Sequence, residues 1–139
     1  MNIDYVSGFF DADGSITMAK NHSKCPYRAL KIDFTNTKLD VLVDIQNFLK
    51  NEYGLVLCIS TKPSKKENHS ESYVLSSSSN RVVLKLCSLM TSYHPIKRHR
   101  INTVLKYHNL VVRRNGKYND REKLRRLAYE RLFFSTIFQ

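Results

Sequence analysis

The chain predicts an α+β fold: an α-β-β-α-β-β-α core whose four-stranded antiparallel sheet carries helices on one face, with extra C-terminal helices. Three observations lead there. Leu30, Ile32 and Phe34 alternate with Lys31, Asp33 and Thr35, the period-two pattern of a strand with one buried and one polar face. Leu42, Ile45, Leu49 and Tyr53 recur at helical spacing. The strand-strand-helix order then occurs twice in 139 residues, with no Pro/Gly-rich linker to divide them. A single domain over 1–139 is the expectation, since this length supplies one real core and is thin for two.

Taken in order, Ile3 to Phe10 are apolar or small at most positions and run into Asp11-Ala12-Asp13-Gly14. This reads as a short helix over about 3–13 that ends in carboxylates, with Gly14 as its stop. Ile16 and Met18 then face one way and Ser15, Thr17 and Ala19 the other, and turn residues Asn21 to Pro26 lead into the strand around Ile32. Thr37 with Asp40 resembles a capping box for a helix from about Lys38 to Glu52, which Gly54 stops. Leu55 to Thr61 and Ser72 to Ser76 form a second strand pair around the charged stretch from Lys62 to His69. Asn80 is a cap for a helix carrying Val82, Val83, Leu86, Leu89 and Met90, and after His94-Pro95 another carries Ile101, Val104, Leu105 and His108. Asn119 with Glu122 starts a last helix ending near Leu132, inside a basic region over about 113–139.

Charge narrows the partner. Lys and Arg total 23 against 12 Asp and Glu, a formal +11, which favours a polyanion such as nucleic acid. The first nineteen residues hold three Asp and no Lys or Arg, so the other 120 carry +14. An acidic head on a basic chain offers a place for a cation beside a surface for an anion. Cys25, Cys58 and Cys87 are an odd number with no CxxC pair, so neither a disulfide framework nor a zinc ribbon is expected. No apolar run reaches a membrane span and no signal peptide is visible, so the expected setting is intracellular, without a membrane partner.

Val6-Ser7-Gly8-Phe9-Phe10-Asp11-Ala12-Asp13-Gly14 resembles the nine-residue signature of the LAGLIDADG homing endonucleases: Gly8, Asp11, Ala12, Asp13 and Gly14 match outright. The element order also agrees with that family through about Leu110. The resemblance implies a saddle-like sheet with DNA on its open face and a site-specific endonuclease encoded by a mobile intron or intein. Because the signature occurs once, whereas monomeric members carry it twice, the resemblance implies a homodimer on a long, roughly palindromic duplex. It implies Mg²⁺ as cofactor, Mn²⁺ as a substitute, and Ca²⁺ supporting binding without cleavage. The host compartment would be a mitochondrion or chloroplast in a eukaryote and the cytoplasm in a prokaryote. The alternative is an RNA-binding intron maturase or a cleavage-inactive DNA-binding protein on the same fold.

The residues bear on this independently. Carboxylates at a helix C-terminus are disfavoured by roughly 0.3–1 kcal/mol each unless a cation offsets them. The resemblance assigns Asp13 as metal ligand with the Ala12 carbonyl as helper, and leaves Asp11 a structural part in the final turn. It places Lys97 near the scissile phosphate and Lys38 at a polar position that contacts the attacking water in relatives. Small Ser7 and Gly8 permit close helix approach, so Val6, Ser7, Gly8 and Phe10 are the expected dimer contact. The polar strand faces supply the expected DNA contacts: Thr17, Ala19 and Asn21, then Ala29, Lys31, Asp33 and Thr35, and in the second hairpin Thr61, Ser72 and Ser76. Lys62, Lys65, Lys66 and the basic run from Arg113 to Arg126 are expected phosphate partners. Strands of about ten residues reach roughly 33 Å, so two copies would span near twenty base pairs.

Overall fold

The computed structural model describes residues 1–63, 71–113 and 117–136. In chain order these form α1 (Ile3–Asp13), β1 (Gly14–Ala19), β2 (Ala29–Asn36), α2 (Leu39–Tyr53), β3 (Cys58–Lys62), β4 (Ser72–Ser77), α3 (Asn80–Leu89), α4 (Pro95–Val111) and α5 (Asp120–Phe133). The four strands make one antiparallel sheet in the order β1-β2-β4-β3. The α+β architecture is therefore as the sequence predicts. The strands run to eight residues at most, shorter than the ten expected, so a hairpin reaches about 26 Å.

Alternation builds the core. Ile16 and Met18 of β1, Leu30, Ile32 and Phe34 of β2 and Leu75 of β4 are buried on one face against Val6 and Phe10 of α1, Leu42, Ile45 and Leu49 of α2, and Val83 and Leu86 of α3. The opposite face is covered by no described element. It presents Ser15, Thr17 and Ala19, then Ala29, Lys31, Asp33 and Thr35, then Ser72, Val74 and Ser76, and Cys58, Ser60 and Lys62 at the far edge.

Local signals are met unevenly. Gly54 closes α2 in the left-handed region at φ 67°, with its N–H on Lys50 O at 3.0 Å. Asn119 and Glu122 form the reciprocal capping box. Thr37 does not cap α2: the cap position is Lys38, whose N–H donates to Asn36 Oδ1 at 2.8 Å. Asn80 is the first residue of α3, with Ser79 before it at the cap. Leu105 turns outward at 47% exposure, while Ile101, Val104 and His108 face the core. Gly14 ends α1 without a left-handed turn, at φ −98°. It is required instead by close approach, since a Cβ there would stand 2.3 Å from Phe10 Cδ2 and 2.8 Å from Phe10 O. Among the described residues, no helix is long and apolar enough to cross a membrane.

Candidate functional site

The two acids of the α1 terminus have opposite employments. Asp11 is taken up by the connection between α3 and α4: Ser92 Oγ donates to its Oδ1 at 2.5 Å and the Tyr93 N–H to its Oδ2 at 2.7 Å. Asp13 is exposed, and Asn36 Nδ2 donates to its Oδ2 at 3.2 Å. Asn36 is thus a bracket: its amide nitrogen orients Asp13 while its oxygen takes the Lys38 N–H. Lys97, from the first turn of α4, donates from Nζ to Phe10 O at 3.0 Å and Asp11 O at 2.9 Å. A cation on the last carbonyls of a helix offsets their partial negative charge, which is what a terminal carboxylate needs.

Among the predicted residues, Asp13, Ala12 and Lys97 come together here, whereas Lys38 contributes only its backbone. The polar side chain that reaches Asp13 is Asn36, two residues earlier. Strand parity contains the signal that finds it, because Asn36 shares the helix side of β2 with Phe34 and lies where α1 ends. No three His, Cys, Asp or Glu side chains converge on a metal position among the described residues. Mg²⁺ does not require such a cage, since it keeps several waters and takes one or two carboxylates plus phosphate oxygens. An exposed, oriented Asp13 carboxylate beside the Ala12 carbonyl fits that demand; Asp11, already holding a loop, does not.

The expected dimer contact is corrected at three of four positions. Val6, Ser7 and Phe10 are buried within their own chain, and Ser7 Oγ accepts the Thr91 N–H at 3.1 Å. Helical periodicity forces this, because the α1 face that packs on β2 cannot also meet a second protein. Gly8 is exposed, with open space where a Cβ would be, and lies on an outer stripe with Tyr5 and Ala12.

The open sheet face gathers Thr17, Ala19, Ala29, Lys31, Asp33, Thr35, Ser72 and Ser76, with Lys62 at its edge. Ser15, which sequence reasoning left out of the contact set, donates from Oγ to Asp33 Oδ1 at 2.9 Å and so orients that acid. Ser60, Cys58 and Val74 are further members of this face. Asn21 lies beyond β1 in the connecting loop, not on the strand. Thr61 pairs with Tyr73 and shares the helix side with Ile59, because side chains reverse at every residue. Lys65 and Lys66 fall outside the described residues. In the basic C-terminal region Arg113 pairs with Glu122, and Arg126 is buried at 4% exposure, so neither is a free phosphate partner.

The helix-backed sheet with an exposed acid at the end of α1 defines a class. Residues 2–90, more than half of the chain, match the family model described as a LAGLIDADG-like domain, and the chain belongs to that family. Among solved structures it resembles an archaeal intron-encoded homing endonuclease, I-Vdi141I, complexed with DNA, at 17% identity and a TM-score of 0.58, covering 97% of this chain and 85% of that one. It also resembles the group I intron-encoded homing endonuclease I-CeuI complexed with DNA (15% identity, TM-score 0.60, 96% of this chain and 68% of that one). A variant of I-SmaMI is similar over 94% of this chain and 42% of that one, at 17% identity and a TM-score of 0.61. At these identities the likeness establishes the fold. No curated protein matches the chain.

Proposed function

We propose that this chain is a site-specific homing endonuclease that acts as a homodimer on a long, roughly palindromic duplex and hydrolyses both strands with a divalent metal ion. The observation that carries the reading is the Asp13 carboxylate, exposed and bracketed by Asn36 at the end of α1, next to an open polar sheet face. The solved relatives include complexes with DNA, among them the homing endonuclease I-CvuI with the I-CreI target in the presence of 2 mM Mg, its DNA not cleaved (17% identity, TM-score 0.52). Asp13 would hold the divalent ion, which would supply charge stabilisation at the scissile phosphate and a lowered pKa for a bound water. Asn36 fixes the carboxylate that holds it. Lys97 secures the helix end and keeps a positive charge near the anionic backbone. Lys31, Asp33, Thr17 and Thr35 present mixed donors and acceptors of the kind a major groove requires.

Asp13→Asn keeps the shape and removes the charge. It should bring plasmid cleavage to the level of a no-enzyme control while gel-shift binding to the selected target is kept or tightened. Near wild-type cutting by Asp13→Asn would remove Asp13 from the chemistry, and binding without any cutting by the wild type would leave a DNA-binding protein. For the dimer, Gly8→Leu meets open space in the single chain and should leave it folded while separating the pair. Sedimentation of that variant as a dimer would take the outer stripe of α1 out of the contact.

A further inference from the structure

The connection between β1 and β2 spans residues 20–28, longer than the two to five residues with which a tight turn fixes hairpin register. The β1–β2 ladder ends at the Ala19–Ala29 pair, so the Arg28 peptide has no strand partner for its N–H and C=O. Both groups are nevertheless satisfied, by two residues one turn apart on α5. The Arg28 N–H donates to Glu130 Oε1 at 2.6 Å, and Arg126 Nη2 donates to Arg28 O.

Aromatic contacts surround this clamp. Tyr27 packs on Tyr118 with ring centroids 5.0 Å apart, and the Arg28 guanidinium lies 5.1 Å from the Phe134 ring centroid. On the free edge of β1, Arg100 of α4 donates from Nη1 to Ile16 O at 2.9 Å, with its guanidinium over Phe133 and Phe134. Arg126 and Glu130 are 4% and 9% exposed, too buried to meet a duplex lying on the surface.

We infer that α5 sets base discrimination at the outer end of the first hairpin, with Arg126 and Glu130 as positioning residues that hold the Arg28 peptide. The inference rests on the DNA-cleaving reading above. From Gly14 beside Asp13 to Ala19 the hairpin extends roughly 17 Å, about five base pairs. Hydrogen bonds to base edges tolerate only a few tenths of an ångström, so a ribbon fixed near Asp13 and loose at its far end would read inner positions well and outer ones poorly. The clamp supplies the second fixed point.

The test uses the full chain and a target selected from a randomised duplex pool. In the free protein, Glu130→Ala should speed hydrogen exchange at the Arg28 amide at least about tenfold while the Phe34 and Leu75 amides keep their protection. On single base-pair variants of the target, Glu130→Ala should lose roughly tenfold in discrimination at outer positions and none at inner ones. Glu130→Gln, whose amide oxygen still accepts the Arg28 N–H, should restore most of both. If Glu130→Ala does not fold, Tyr27→Ala carries the same expectations from a half-buried position. Equal loss at every position, or unchanged outer discrimination from a selective wild type, overturns the positioning role alone. A wild type that enriches no sequence overturns the DNA reading and the specificity role together.

Discussion

The two hairpins of the sheet have polar outer faces of the same kind but very different footings. The first buries Ile16, Met18, Leu30, Ile32 and Phe34 and is further held by Arg100, Arg126 and Glu130. Among the described residues, the second buries Leu75, with Ile59 and Tyr73 half-buried, is joined to the first through the β2–β4 ladder, and is held at its entry by Leu57 beneath it and a hydrogen bond from Gln46 Nε2 to Leu57 O at 2.8 Å. On the proposed DNA-cleaving reading, the difference assigns discrimination to the first hairpin. A rigid ribbon keeps side-chain donors in register with base edges, whereas a lightly anchored one suits phosphate contacts that tolerate adjustment.

The largest effect that tests this contrast is on stability. Phe34→Ala, under the first hairpin, should cost about 3–5 kcal/mol, while Ile59→Ala, half-buried under the second, should cost about 1 kcal/mol in urea unfolding. Equal costs would break the comparison.

Acid offers a second lever, acting on the first hairpin's support. His108 lies buried between α4 and α5, shares a 2.9 Å hydrogen bond with the Tyr129 hydroxyl, and has its pKa lowered to about 4 by burial and by the Arg126 charge. The unfolded chain therefore binds the proton first, near pH 6.5, so this contribution is intact above that value and is lost as pH falls from about 6.5 to 4, by up to about 3 kcal/mol. Denaturation at stepped pH should show that slope in the wild type and a shallower one in His108→Gln. Loop 20–28 should loosen in acid before β3–β4 does; the reverse order of hydrogen exchange would detach the C-terminal helices from the first hairpin.

The smallest effect sharpens the division of labour. Lys31→Ala should lose about 1–3 kcal/mol of discrimination at one base pair per half-site, while Lys62→Ala should weaken all duplexes alike and reduce the salt slope by about one unit. Matching profiles for the two variants would mean that both hairpins read sequence.

Much of this was legible in the chain because short-range patterns decided it. The alternation through Phe34, the stop at Gly54, the Asn119 cap and the single motif each depend on neighbours within a few residues. What escaped depended on packing at a distance. Ser7 and Gly8 are both small, yet one faces the Thr91 peptide and the other open space, a distinction that only the orientation of α1 on the sheet makes. Lys38 and Asn36 are both polar residues after Phe34, and where α1 ends decides which of them meets Asp13. Arg126 reads as one more charge in a basic helix until the unpaired Arg28 peptide 98 residues away gives it a partner.

The cysteines give the protein a built-in chemical reporter. Cys87 is buried, with its thiol pushed up to about 12 by burial, and Cys25 is half-covered, but Cys58 is exposed on the open sheet face across from Ser76. A thiol-selective alkylating reagent should therefore mark Cys58 first in the native protein, and duplex bound across the sheet should shield it. Protein footprinting could then follow occupancy of this surface without any engineered label, and a duplex carrying a tethered disulfide could be anchored there at a known strand position.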